Sequence, residues 1–202
     1  MISKTFCSAT WFAVRLDWDG QYKPCCDIDL SKSEFTGRKQ FSIHDSNLDE
    51  WMTSNYLTYV KKSLNDGKEI PECSKCWDKE KSNVLSLRQL NNHQISQRQH
   101  NLYNSWVKSF LKKQDYSKFH LLSADVKLNN VCNFACAMCS PNDSSKLFSH
   151  WKSQIGSEFV DKALDRNPQY FESIIENYES QKGYKHLIDI LDQPIQNLKL
   201  LG

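Results

Sequence analysis

The chain has 202 residues, 39% of them apolar and 25% charged, with a formal net charge of +2. That is enough for one large or two small domains with an adequate core. The near-balanced charge argues against a nucleic-acid or membrane-surface partner, and no apolar run approaches the roughly 20 residues of a membrane span. The N-terminal residues, Met1 to Cys7, lack the apolar core of a signal peptide, so a cytoplasmic protein is expected. Cysteine is abundant, with eight in the chain. Thiols stay reduced in the cytosol, so ligation of metal or clusters accounts for them better than disulfides. There is no internal repeat and no low-complexity tract.

Residues 10–16 mix aromatic and β-branched side chains with polar ones and predict a strand. Asp19-Gly20 is a hairpin turn signal, residues 21–23 start the return strand, and Pro24 stops regular pairing. Cys7 and the Cys25-Cys26 pair flank this hairpin, whose open end brings Cys7 near Cys25. Residues 46–65 predict a helix. Ser46 with Asp49 approximates a capping box, and Leu48, Trp51, Met52, Tyr56, Val60 and Leu64 follow helical spacing as a core stripe. Asp66-Gly67 ends the helix. Pro71 then opens Cys73-Ser74-Lys75-Cys76, a C-x2-C turn leading into a charged segment and on to Leu85, Leu87 and Leu90. Cys7, Cys25, Cys73 and Cys76 together suit one complete cluster or one structural metal, zinc included.

Residues 93–118 are polar and basic, with Leu102, Trp106, Phe110 and Leu111 at helical spacing, and predict a surface helix joining two modules. Lys108, Lys112 and Lys113 fall on its exposed face. His44, His93, His100, His120, His150 and His186 have no partnered spacing and take no chemical role. Residues 121–128 form an apolar strand that runs into Cys132, Cys136 and Cys139 at spacing C-x3-C-x2-C. Three thiolates hold three irons of a [4Fe–4S] cubane and leave the fourth iron open to a small molecule. A closed zinc site wants four ligands, whereas this loop offers three and contains no histidine. Helical patterns follow from Pro141, with Ser144-Ser145 near the start and Leu147, Phe148 and Trp151 on one side. Over residues 157–182, Asn167-Pro168 is a cap pair and Gly183 a stop. Tyr170, Phe171, Ile174, Ile175 and Tyr178 read as core, and residues 195–201 as a second strand.

The strand, the Asn129-Asn130-Val131-Cys132-Asn133 run and the cysteine spacing resemble the cluster loop of the radical SAM superfamily. The resemblance implies that Cys132, Cys136 and Cys139 ligate a [4Fe–4S] cluster. The open iron chelates S-adenosylmethionine, and an electron from the cluster breaks a C–S bond to release a 5′-deoxyadenosyl radical. Met138 stands where many members carry an aromatic residue; it is apolar and deformable enough to pack against the adenine. Cys7-x12-Gly20-x4-Cys25 resembles the opening signature of SPASM and twitch domains, with Cys73 and Cys76 completing one auxiliary [4Fe–4S] cluster as in the shorter twitch form. Cys26 is either a substitute for Cys25 or a buried thiol. Such domains mostly follow the radical SAM barrel, whereas this cysteine-rich module comes first. Leu198-Lys199-Leu200-Leu201-Gly202 resembles the lead-in to the Gly-Gly-Glu-Pro type motif that binds the SAM amino group, with Gly202 its first glycine. The chain is therefore expected to be a fragment of a longer protein or to be completed by another chain.

The expected fold is α/β: a small α+β cysteine-rich iron–sulfur domain over residues 1–92, then a helical linker over 93–120. The first βα units of an incomplete radical SAM partial (βα)6 barrel follow over 121–202. The expected function is reductive SAM cleavage for modification of a peptide or small-molecule substrate, with an electron donor such as a flavodoxin or ferredoxin. Two further readings stand beside it: a non-catalytic iron–sulfur electron-transfer protein, and a zinc-stabilised interaction module.

Overall fold

A computed structural model describes residues 2–17, 20–36, 41–98 and 100–127, strand 197–201, and positions 144, 146, 147, 150, 153 and 190. The three-cysteine loop with Met138, the helices expected around residues 157–182, and Gly202 lie outside the described residues.

The chain is mixed α/β, built on a small sheet. Strands β1 (Ala13–Leu16), β2 (Tyr22–Lys23), β3 (Ser123–Lys127) and β4 (Asn197–Leu201) line up in the order β2-β1-β3-β4. β1 and β2 form the expected antiparallel hairpin, with Arg15 opposite Lys23. Gly20 in its turn has φ +74°, a left-handed conformation that favours glycine. β3 runs parallel to β1 on one side and to β4 on the other, with Ala124 beside Val14 and Leu198. The segments expected to form separate modules thus share one sheet. A parallel β3–β4 step cannot be closed by a tight hairpin turn.

Residues 10–12, expected to be extended, instead belong to a single helical turn, α1 (Ala9–Phe12). The backbone N–H groups of Trp11 and Phe12 both donate to the Ser8 carbonyl at 3.0 Å, and the Thr10 hydroxyl donates to the Cys7 carbonyl at 2.8 Å. Local hydrogen bonding overrides β propensity here. The turn packs Trp11 and Phe12 against Val107 and Phe110.

The stripe predicted over residues 46–65 is buried at Leu48, Trp51, Met52, Tyr56, Val60 and Leu64. It is carried by two helices rather than one, α2 (Leu48–Met52) and α3 (Asn55–Asn65). Asn47, not Ser46, caps α2 by accepting from Glu50 N at 2.9 Å, and Ser54 caps α3 by accepting from Leu57 N at 3.2 Å. Alternation along β1 and β3 turns Val14, Leu16, Ala124 and Val126 into this core. The opposite face carries charge. Arg15 pairs with Asp17 and Asp125, each at 2.6 Å, and Lys23 also pairs with Asp17. Burial alone would raise the Asp17 carboxyl, but Lys23 and Arg15 outweigh it and hold the group below the usual range.

Downstream of the C-x2-C turn come α4 (Ser74–Lys81), α5 (Leu87–Arg98) and α6 (His100–Lys113). The expected surface helix is therefore a helix pair. Its inner side is buried at Val107 and Phe110, because these meet Phe6, Trp11, Phe12 and Leu122. Lys112 and Lys113 are exposed as expected. The His120 ring meets Trp106 at a tilt of 38°, with centroids 4.3 Å apart, and burial lowers its pKa.

Lys61 on α3 is 1% exposed. Its ammonium donates to the carbonyls of Met52, Tyr116 and Lys118 at 3.0, 3.1 and 3.2 Å, which fixes the approach to β3. It also lies 5.1 Å from the Trp11 ring centroid. Burial pushes its pKa down to about 7, against a small opposing pull from Asp115.

Candidate metal centre

Cys7 sits just before α1, Cys25 just after β2, Cys73 in a single 3-10 turn (Pro71–Cys73), and Cys76 in the first turns of α4. Each position has a local cause. Pro71 fixes the start of its turn, where a missing N–H costs nothing. Cys73 N then donates to Ile70 O at 3.1 Å, and the Trp77 indole N–H donates to the same carbonyl at 2.9 Å. The two bonds hold the C-x2-C turn against α4. The loop after β2 is tied to it by Asp29 N donating to Glu72 O at 2.8 Å, with an outer ion pair between Lys79 and Asp27 at 3.3 Å. The segment before Cys7 is held by α5. Asn92 donates to Phe6 O at 2.8 Å and accepts from Ser8 N at 2.7 Å, and Arg88 donates to Phe6 O at 2.8 Å.

These ties gather the four thiols into one neighbourhood. The charge of Cys7 acts on Cys25 and Cys73, and that of Cys76 acts on Cys7, Cys25 and Cys73. Cys7 and Cys76 are buried, while Cys25 and Cys73 are half-buried and packed against the core. Burial is the main reason that all four thiols titrate high, with Cys7 pushed up to about 11. For Cys25 and Cys73 the neighbouring thiols push the same way. Backbone N–H groups oppose this by facing three of the sulfurs: Ala9 and Thr10 at Cys7, Asp27 at Cys25, and Arg88 at Cys76. Among the described residues, no three His, Cys, Asp or Glu side chains already stand in the arrangement of a bound metal ion.

The donor set nonetheless suits a thiolate-bound cation. Four thiols from three chain segments act on one another electrostatically, two buried and two half-buried, and backbone N–H groups face three of the sulfurs. A positive centre there would offset both the desolvation of the thiolates and their mutual repulsion, and loading it would release protons. Cys26 is exposed rather than buried, and the charges acting on it are those of Arg15, Asp27 and Asp125. It faces the charged side of the sheet, whereas Cys25 is the one coupled to Cys7 and Cys76.

Charged neighbours of this corner escaped the sequence reading. Arg88 is 8% exposed and pairs with Glu80 through Nε at 3.0 Å and through Nη2. Glu72 is fully buried, and neither carboxylate oxygen has a hydrogen-bond partner among the described residues. Its charge raises Cys73 and Tyr59. No local pattern marks Arg88. The adjacency of Glu72 to Cys73 was the available signal, since a carboxylate beside a ligand candidate shares its surroundings.

A cavity of about 420 Å³ lies elsewhere, along α6, lined by Trp106, Phe110, Lys113, Asp115 and Lys118 among others. No helix among the described residues is long and apolar enough to cross a membrane. Comparison with protein-family models, with curated proteins and with solved structures finds no match to this chain.

Proposed function

We propose that this chain is an iron–sulfur protein of the radical SAM type, with a catalytic cluster on the 132–139 loop and an auxiliary cluster in the N-terminal corner. The observation that carries the reading is that Cys7, Cys25, Cys73 and Cys76, from three separate chain segments, act on one another electrostatically, two of them buried and two half-buried. That corner is built onto the sheet whose strand β3 leads into Cys132, Cys136 and Cys139. A parallel β3–β4 pair is also what the opening βα step of such an enzyme requires. When bound, the open cluster and S-adenosylmethionine supply the radical chemistry, drawing on a low-potential donor such as a flavodoxin or ferredoxin. The chain's own part is to hold the clusters. Cys132, Cys136 and Cys139 would ligate the first, with Met138 and Gly202 toward S-adenosylmethionine. The four N-terminal cysteines would ligate the second and exclude water from it. The substrate class in this reading is a peptide or small molecule.

The rival reading is a zinc-stapled interaction module, because the N-terminal corner by itself offers the four thiolates of a closed zinc site. Iron and acid-labile sulfide per chain after anaerobic reconstitution separate the two. The expected result is about eight irons, falling to about four when Cys132, Cys136 and Cys139 are all replaced by Ala. Stoichiometric zinc with negligible iron would sink the radical SAM reading. Two intact clusters that leave S-adenosylmethionine uncleaved after reduction would favour a plain electron-transfer protein.

A further inference from the structure

We propose that Arg88 is a positioning residue that sets the reduction potential of the centre held by Cys7, Cys25, Cys73 and Cys76; this rests on the cluster reading. Arg88 lies between two of the cysteine-bearing segments. Its Nη1 donates to Phe6 O at 2.8 Å and Lys4 O at 2.9 Å, on the segment that delivers Cys7. Its Cζ lies 5.1 Å from the centroid of Trp77, the residue after Cys76. Its backbone N–H faces the Cys76 sulfur, and its positive charge reaches both Cys7 and Cys76.

The surroundings make that charge matter. Asp27, Glu72 and Glu80 each act on one or more of the ligand thiols as anions. Arg88 is the buried cation set against them. It is permanently charged, and its planar fork matches a carboxylate. Glu80 occupies that fork and also accepts from the Ser86 hydroxyl. The pair is close to neutral and can be unbalanced from either side. Gaining one electron makes a thiolate-ligated cluster more negative, and a fixed cation nearby favours that state. Net charge, hydrogen bonds to sulfur and solvent exposure are the levers on such potentials, and burial keeps the field of Arg88 from being screened.

The test is a mediated dithionite titration, followed by electron paramagnetic resonance. It uses the full chain with Cys132, Cys136 and Cys139 replaced by Ala, so that the N-terminal centre alone is read. Arg88→Gln is expected to lower the reduced-to-oxidised ratio at fixed poise about tenfold, which is 59 mV for a one-electron couple. Glu80→Gln is expected to shift the ratio the opposite way. Arg88→Lys keeps the charge and should stay within about threefold of the parent. All should retain about four irons. A purely structural role would not give opposite signs for the two partners. Retained iron with unmoved potentials overturns the role of Arg88 and leaves the cluster reading standing. Zinc without iron in the parent overturns both. If Arg88→Gln fails to fold, an unmoved potential in Glu80→Gln is enough to overturn the inference.

Discussion

Two regions of this molecule bury charge, and they do it in opposite ways. Around Lys61 the chain satisfies itself. The ammonium finds three backbone carbonyls and an aromatic face, and each of its protons has an acceptor. The cysteine corner is not self-sufficient. Four thiols are pushed up in pKa, Glu72 is buried with no hydrogen-bond partner among the described residues, and Arg88 is the cation facing this excess of potential anions. A polar group buried for stability alone is normally satisfied. A cluster of buried acids that repel one another gains once a cation binds among them. The first region is a structural staple, and the second has the electrostatics of a binding site.

The largest expected effect breaks the second region. Replacing Cys73 and Cys76 together by Ser should remove the N-terminal centre. About half the iron should be lost in reconstituted wild-type background, with a fall of several kcal/mol in the stability of the loaded protein, since metal-binding free energy is folding free energy. Iron analysis and thermal unfolding of loaded and chelator-treated protein check this. In the chelator-treated protein the substitution should have little effect. An equal loss with and without metal would make the corner an ordinary core.

Breaking the first region should cost less. Lys61→Met keeps the volume and apolar stem but leaves three carbonyls without their donor, at a cost of about 3 kcal/mol. Urea unfolding measures it, and the cost should be the same in loaded and chelator-treated protein. That independence is what separates staple from site.

The two regions also carry opposite pH signs in the metal-free chain. Lys61 is lowered from 10.5 to about 7, so between those values the unfolded chain binds more protons and this group makes stability rise with pH. Cys7 is raised from 9.0 to about 11, so its contribution is whole below pH 9 and is lost as pH climbs through 11. Each slope is about 1.4 kcal/mol per pH unit at its steepest. Stability of wild type minus Lys61→Met should therefore rise from pH 7 to 10. Wild type minus Cys7→Ser should fall from pH 9 to 11. Parallel curves in either pair would remove the distinction drawn between the regions.

The staple was hidden in the sequence and the candidate site was not, for a physical reason. Cysteine spacing is a local signal, and so are the Gly20 turn and the aromatic stripe from Leu48 to Leu64, the last two of which keep their expected places. Lys61 looks like any helix lysine. Its burial comes from carbonyls at residues 116 and 118, more than 50 positions away. Arg88 pairs with Glu80 nearby but likewise reaches the carbonyls of residues 4 and 6, more than 80 positions away. The break between α2 and α3 was locally visible in the cap at Ser54, yet a continuous apolar stripe masked it. At α1, Thr10, Trp11 and Phe12 have strand-like chemistry, and only the carbonyls of Cys7 and Ser8 decide otherwise.

The smallest expected effect sharpens the boundary of the site. Cys25 and Cys26 are neighbours in sequence, and spacing alone leaves either as a ligand. Their surroundings differ. Cys25 packs against the core and is coupled to Cys7 and Cys76. Cys26 is exposed, and its thiol answers to Arg15 and Asp125 on the charged face of the sheet. The chain turns at Cys26, just past β2, so neighbouring residues have different surroundings. Cys26→Ser should leave iron content unchanged and stability within about 0.5 kcal/mol, as for other exposed substitutions, whereas Cys25→Ser should lose the N-terminal centre. Iron analysis of the two single variants in parallel decides it. The reverse pattern would mean that loading turns the hairpin end over, so that Cys26 replaces Cys25 and the corner seen here is not the bound form.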